Sequence, residues 1–190
     1  MAELKQRLAK LLFEKSYKEG DFTLASGKKS DYYFDCRQTA LHPEGAWLIG
    51  NLFYELISSL ENAAEVKGVG GMTLGADPLV SSTSVISYEK GGHLPALIVR
   101  KQPKGHGTGQ GVEGLANFEE GDVVVMLEDV VTTGGSVITA IERIEASGLK
   151  VSCVCAVLDR DEGGREALAE RGYNLVSIFD RKELVALATS

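Results

Sequence analysis

Residues 122–136 read DVVVMLEDVVTTGGS. Asp122 and Glu128 bracket an unbroken apolar run, Val123 to Leu127, which fits a strand buried on both faces, as in a parallel sheet covered by helices. Thr132 to Ser136 has the composition of a turn. The amphipathic stretch VITAIERIEAS after it predicts a helix that stops at Gly148. Buried strand, glycine-rich turn and helix together form the repeating unit of an α/β protein.

The same unit recurs in both directions. Downstream come the strand KVSCVCAVLD, the helix GREALAERG, the strand YNLVSIFD and a closing helix. Upstream, a helix opens near Pro43 and carries Trp47, Leu48, Leu52, Leu56 and Leu60; proline suits a first helical turn. The strand EVKGVGG, the helix ADPLVSSTSVIS and the strand LPALIVR follow it. The expected fold class is therefore α/β, with a central mostly parallel sheet and helices on both faces. Before residue 41 the pattern differs. Leu4, Leu8, Leu11 and Leu12 share one helical face, and the extended runs DFTLAS and SDYYFDC, joined through Gly27-Lys28-Lys29, predict a small hairpin flap. One domain over residues 1–190 is expected, with helix and flap in 1–40 and the parallel core in 41–190.

Composition narrows the function. A net charge of −7 argues against a general nucleic-acid binder, which needs a basic surface. With 44% apolar and 25% charged residues, the chain has the make-up of a globular protein, and no apolar run approaches a membrane span. Acidic residues interrupt the N-terminal segment, unlike a signal peptide, so a cytoplasmic location is expected. Cys153 and Cys155 lie two apart on one side of a strand. With no third cysteine or histidine near them in sequence, they read as small core hydrophobes.

Ligands of open α/β sheets bind beyond the carboxyl ends of the strands. Those ends are expected at Gly70-Gly71, Arg100-Lys101, Glu128-Asp129 and Asp159-Arg160. At the third, Gly134 and Gly135 let the backbone approach a ligand, Thr132, Thr133 and Ser136 offer hydroxyls, and the helix N-terminus is partly positive. The segment suits one terminal phosphate, or equally an ordinary turn capped by Ser136 or Thr133. Glu128 and Asp129 favour the first reading: two adjacent acids ending an apolar strand make sense against hydroxyls or a cation, and a ribose 5-phosphate supplies hydroxyls beside its phosphate. No Gly-Lys-Ser/Thr or G-x-G-x-x-G sequence is present, which excludes a P-loop and a dinucleotide fingerprint. At the second strand end, Arg100, Lys101, Lys104 and His106 concentrate positive charge without an acid. Gly105, Gly107, Gly109 and Gly111 then predict a mobile loop over 101–116.

From Val123 to Ser136 the chain resembles the phosphoribosyl-pyrophosphate (PRPP) motif of type I phosphoribosyltransferases. The basic loop, and the flap DFTLASGKKSDYYFD with its Ser-Tyr-Tyr-Phe portion, resemble those of the orotate phosphoribosyltransferases in particular. The resemblance spans residues of about 20–185. It implies transfer of ribose 5-phosphate from PRPP to orotate, giving orotidine 5-monophosphate and pyrophosphate in pyrimidine biosynthesis. It further implies Mg²⁺ held mainly by PRPP and pyrophosphate, with no dedicated protein metal ligands, and a homodimer whose basic loop reaches over the neighbouring active site. By this resemblance Glu128 and Asp129 hold the ribose hydroxyls, while Val130, Val131, Thr132, Thr133, Gly134, Gly135 and Ser136 hold the 5-phosphate. Arg100, Lys101, Lys104 and His106 meet the pyrophosphate; Lys101, Lys104, His106 and Asp129 are the implied catalytic set. Thr132 and Arg160 take the orotate positions, with Arg160 pairing the acceptor carboxylate; a surface salt bridge from Arg160 to Asp159 or Asp161 is the plainer alternative. Two positions depart from the pattern, since some relatives carry lysines where Ala25 and Gly75 stand. With no decarboxylase segment in the chain, a stand-alone enzyme is expected. A purine-specific transferase and a non-catalytic PRPP sensor are rival readings; the flap and loop speak against the first, the acidic surface against the second.

Overall fold

The computed structural model describes residues 1–23, 29–102 and 111–189. Helix α1 (Ala2–Lys15) leads into an antiparallel hairpin, β1 (Tyr17–Thr23) and β2 (Lys29–Phe34). A single turn α2 (Arg37–Ala40) and helix α3 (Pro43–Ser58) follow, with Pro43 at the first helical position. The core then alternates through β3 (Val66–Met72), α4 (Asp77–Glu89), β4 (Ala96–Val99), β5 (Val112–Glu113), β6 (Val123–Val131), α5 (Gly135–Ala146), β7 (Lys150–Asp159), α6 (Gly164–Ala169), β8 (Asn174–Asp180) and α7 (Arg181–Thr189). The α/β class is as expected.

Among the described residues the main sheet has the order β5-β4-β3-β6-β7-β8, parallel except for the edge strand β5, which pairs antiparallel with β4. Residues 112–116, expected within the basic loop, instead belong to that edge strand and a short 3₁₀ turn (Leu115–Asn117). The path moves outward from β3 to β4 and β5, then resumes on the other side of β3 with β6. That reversal opens a crevice between β3 and β6. The β3–β6 pairing runs only to Gly70–Met126, although β3 continues to Met72 and β6 to Val131.

Alternation along β6 sorts its side chains between two apolar layers. Val125 and Leu127 join the layer under α1, α3, α4 and α7, with Leu8, Leu48, Phe53 and Phe179. Val124 and Met126 join the layer under α5 and α6, with Ile141, Ile144 and Leu168. Cys153 and Cys155 are unpaired and buried in the first layer, the core role expected of them. Trp47 departs from expectation. It is 43% exposed on the outer side of α3, near the Arg7 guanidinium, so the inward face is carried by Leu48, Leu52 and Phe53.

Candidate active site

The crevice at the switch point has a volume of about 360 Å³. Its walls come from five places: Tyr33 and Phe34 at the end of β2 with Asp35 and Arg37 after it; Met72 to Gly75 at and after the end of β3; Lys101 after β4; Glu128 to Val130 of β6 with Thr132 and Ser136 after it; and Arg160 after β7. Sequence expectation put the strand ends one and two residues early, at Gly71 and Asp129. β3 runs to Met72 and β6 to Val131, so the acids lie inside the strand rather than at its end.

This position settles why two acids stand side by side. In a strand, neighbours project to opposite faces. Glu128 follows Val124 and Met126 toward α5, where the Ser136 hydroxyl donates to its Oε2 at 3.3 Å. Asp129 follows Val125 and Leu127 toward the β3–α4 turn, where a Cβ on Gly75 would lie 2.9 Å from its carboxylate. The two carboxylates straddle the sheet end and flank the crevice together. Glu128 is 5% exposed, and burial, reinforced by the Asp129 charge, holds its carboxyl well above the ordinary range.

A carboxyl raised in this way keeps a proton that the unfolded chain has already released. Stability therefore falls as pH rises from the ordinary carboxylate range through the raised value, and below that range Glu128 imposes no cost. A ligand that brought donors or a cation to this pair would favour the ionised form, expel the proton and bind more tightly as pH rises across the same window. Glu128→Gln is expected to stabilise the ligand-free protein by about 1–2 kcal/mol at pH 8 and by less at pH 5. Urea unfolding at the two pH values checks it; an equal or smaller gain at pH 8 would refute the assignment.

The turn after β6 has the features of an anion cradle. Gly134 sits at φ 81°, a left-handed conformation natural to glycine, and caps α5 with no side-chain hydrogen bond. Neither Ser136 nor Thr133 is the helix cap, contrary to one expectation; Ser136 serves Glu128 instead. The first turn of α5 holds no acid, and a Cβ on Gly135 would meet open space. The uncapped start of α5 thus reaches the crevice at Ser136, with no acid on the helix's own first turn. Val131, by contrast, is buried in the α5-side layer.

Arg160 also departs from the surface alternative. Its side chain is 7% exposed, and its Nε donates at 2.8 Å to Glu162, not to Asp159 or Asp161. Asp159 is fully buried and takes Arg165 as its partner at 2.8 Å. The basic segment divides. Lys101 lines the crevice of its own chain, whereas the Arg100 Nε donates to Glu113 on β5 at 2.6 Å, and Arg100 is not among the lining residues. Arg143 of α5 donates to the carbonyls of both Arg100 and Lys101, tying the root of the loop to the cradle helix. Lys104, His106 and Ala25, like Lys28 in the flap, lie outside the described residues.

Sequence reasoning missed Asp35 and Arg37, which form a two-bonded pair at 2.8 and 3.1 Å on the crevice wall. It also missed Thr73, whose hydroxyl donates to Asp77 at 2.9 Å.

A parallel sheet with a switch-point crevice, paired acids on the central strand and an uncapped glycine turn define a type I phosphoribosyltransferase. No family model matches the chain. It is, however, 46% identical over 186 residues to the orotate phosphoribosyltransferase of Thermosynechococcus vestitus, covering 98% of this chain and 95% of that protein. Among solved structures it is similar to Mycobacterium tuberculosis orotate phosphoribosyltransferase with Fe(III) dicitrate (TM-score 0.80, 36% identity, 95% of this chain and 98% of that one). It is likewise similar to the same enzyme bound to PRPP (TM-score 0.76, 32% identity, 96% and 99%). The chain belongs to the orotate phosphoribosyltransferase family.

Proposed function

We propose that this crevice transfers the ribose 5-phosphate of PRPP to N1 of orotate, releasing pyrophosphate, by the following division of labour. The amides and hydroxyls of residues 132–136 hold the 5-phosphate. Glu128 and Asp129 accept hydrogen bonds from the ribose diol. Lys101, with Lys104 and His106 of the basic loop, faces the pyrophosphate. Orotate lies against the Tyr33–Phe34 wall with its carboxylate toward Arg160 and its ring edge near Thr132. As the bond to pyrophosphate lengthens, negative charge grows on the leaving oxygens while the sugar becomes cationic. Lysine stabilises the first, and the carboxylates beneath the ring suit the second. N1 of orotate bonds to the anomeric carbon as the bond to pyrophosphate breaks, and the N1 proton passes to the departing pyrophosphate or to water, so no protein base is required.

Among the described residues no cluster of three or more His, Cys, Asp or Glu is suited to a metal. Two adjacent carboxylates beside a phosphate cradle nevertheless fit a Mg²⁺ ion held chiefly by substrate oxygens. When bound, it would neutralise charge on the departing pyrophosphate. Exposed Val85 and Tyr88, one turn apart on α4, support a second copy as partner in a homodimer. No helix of the described residues is long and apolar enough to cross a membrane, which is compatible with a cytoplasmic enzyme.

The observation that carries this reading is the meeting of Glu128, Asp129 and the uncapped start of α5 in one crevice. Turnover of orotate, hypoxanthine, adenine and uracil with PRPP tests it. Orotate alone should be consumed rapidly. Consumption of a purine with none of orotate would overturn it.

A further inference from the structure

We propose that Tyr32 and Arg181 are positioning residues for Arg160, and through it for recognition of the anionic acceptor; this rests on Arg160 meeting the orotate carboxylate. Tyr32 is 3% exposed on β2. The Arg160 guanidinium carbon lies 4.4 Å from the centroid of its ring, and that of Arg181 lies 4.0 Å from it. Both are within cation–π range.

Two guanidiniums beside one ring repel each other, and the surroundings offset that repulsion. Glu162 accepts from Arg160 at 2.8 Å, and Asp31, next to Tyr32 in the flap, accepts from Arg181 at 2.8 Å. The assembly joins three elements that are distant in sequence: the flap strand β2, the segment after β7, and the start of α7. Only Arg160 of the group lines the crevice. Reading a carboxylate with two parallel N–H bonds requires the guanidinium plane to be fixed, because a planar fork loses both bonds when it rotates. The ring contact and the Glu162 bond fix that plane. Tyr32 and Arg181 should therefore govern affinity for orotate, not for PRPP.

The test is steady-state kinetics with each substrate varied, together with unfolding midpoints, for Arg160→Ala, Tyr32→Phe, Tyr32→Leu and Arg181→Gln. Tyr32→Phe keeps the ring and should raise the orotate KM less than Tyr32→Leu does. Tyr32→Leu should raise the orotate KM about tenfold, and Arg181→Gln about threefold, each leaving the PRPP KM within about twofold. In an Arg160→Ala background Arg181→Gln should add nothing. Arg181 is partly exposed and outside the crevice, so it carries the test if Tyr32→Leu fails to fold. If PRPP KM rises in step with orotate KM, or if Arg181→Gln acts undiminished without Arg160, the positioning role is overturned. A large effect of Arg160→Ala with Arg181→Gln inert would also overturn it, leaving the carboxylate reading intact. An unchanged orotate KM in Arg160→Ala would overturn the carboxylate reading itself.

Discussion

Lys101→Ala is expected to lower kcat by about 10²-fold while leaving the PRPP dissociation constant within about fivefold. Lys101 lines the crevice with Asp129 and the Thr73–Gly75 segment. Its backbone is held by Arg143 at 3.2 Å, so its ammonium is delivered from a fixed root. In the ground state the pyrophosphate already carries its charge and shares it among several donors. In the transition state further charge collects on the oxygens leaving the sugar, and one added cation there acts mainly on the barrier. Gly75 sharpens the case: its missing side chain faces Asp129, so no ammonium comes from that position. Rapid-quench turnover and direct PRPP titration separate the two effects. If kcat is unchanged, or if PRPP binding weakens by the same factor as kcat, Lys101 has no selective role in the barrier.

Gly135→Asp should separate stability from binding in opposite directions. Gly135 opens α5, where an added Cβ meets nothing, and the first turn contains no acid. A carboxylate there complements the helix dipole and should leave stability unchanged or raise it by up to about 1 kcal/mol. The same carboxylate would stand about 5 Å from a bound 5-phosphate. At an effective dielectric near 20, that repulsion weakens PRPP binding by about 10²-fold. Gly135→Asn, similar in size and uncharged, should lose much less. Titration calorimetry on both variants, with urea unfolding as the control, decides it. A stable Asp variant that binds PRPP as well as the parent would mean the phosphate sits elsewhere.

What could be read from the chain follows from how local each feature is. The β6–turn–α5 unit was legible because a buried strand and a glycine turn both write their signals within fifteen residues. The strand end was not: Glu128 and Asp129 break the apolar run, yet hydrogen bonding to β7 carries β6 on to Val131. Two-residue alternation already implied that the acids face opposite sides of the sheet, but only the packing of Ser136 and Gly75 against them gives that consequence. Arg160 was legible as a strand-end cation, while its partner was not, because Arg165 reaches back from α6 to occupy Asp159. Arg37 escaped notice since a four-residue helix has no periodic signature. The loop residues Lys104 and His106 rest on sequence alone, whereas Lys101 and Arg100 are seen to part company at the loop root.

The account stands most directly on where PRPP settles. A crystal of the protein soaked with PRPP should place the 5-phosphate oxygens about 3 Å from the amides of residues 132–136, and the 2- and 3-hydroxyls in reach of Glu128 and Asp129. Density for the phosphate elsewhere, with the β6–α5 turn holding only solvent, would contradict it.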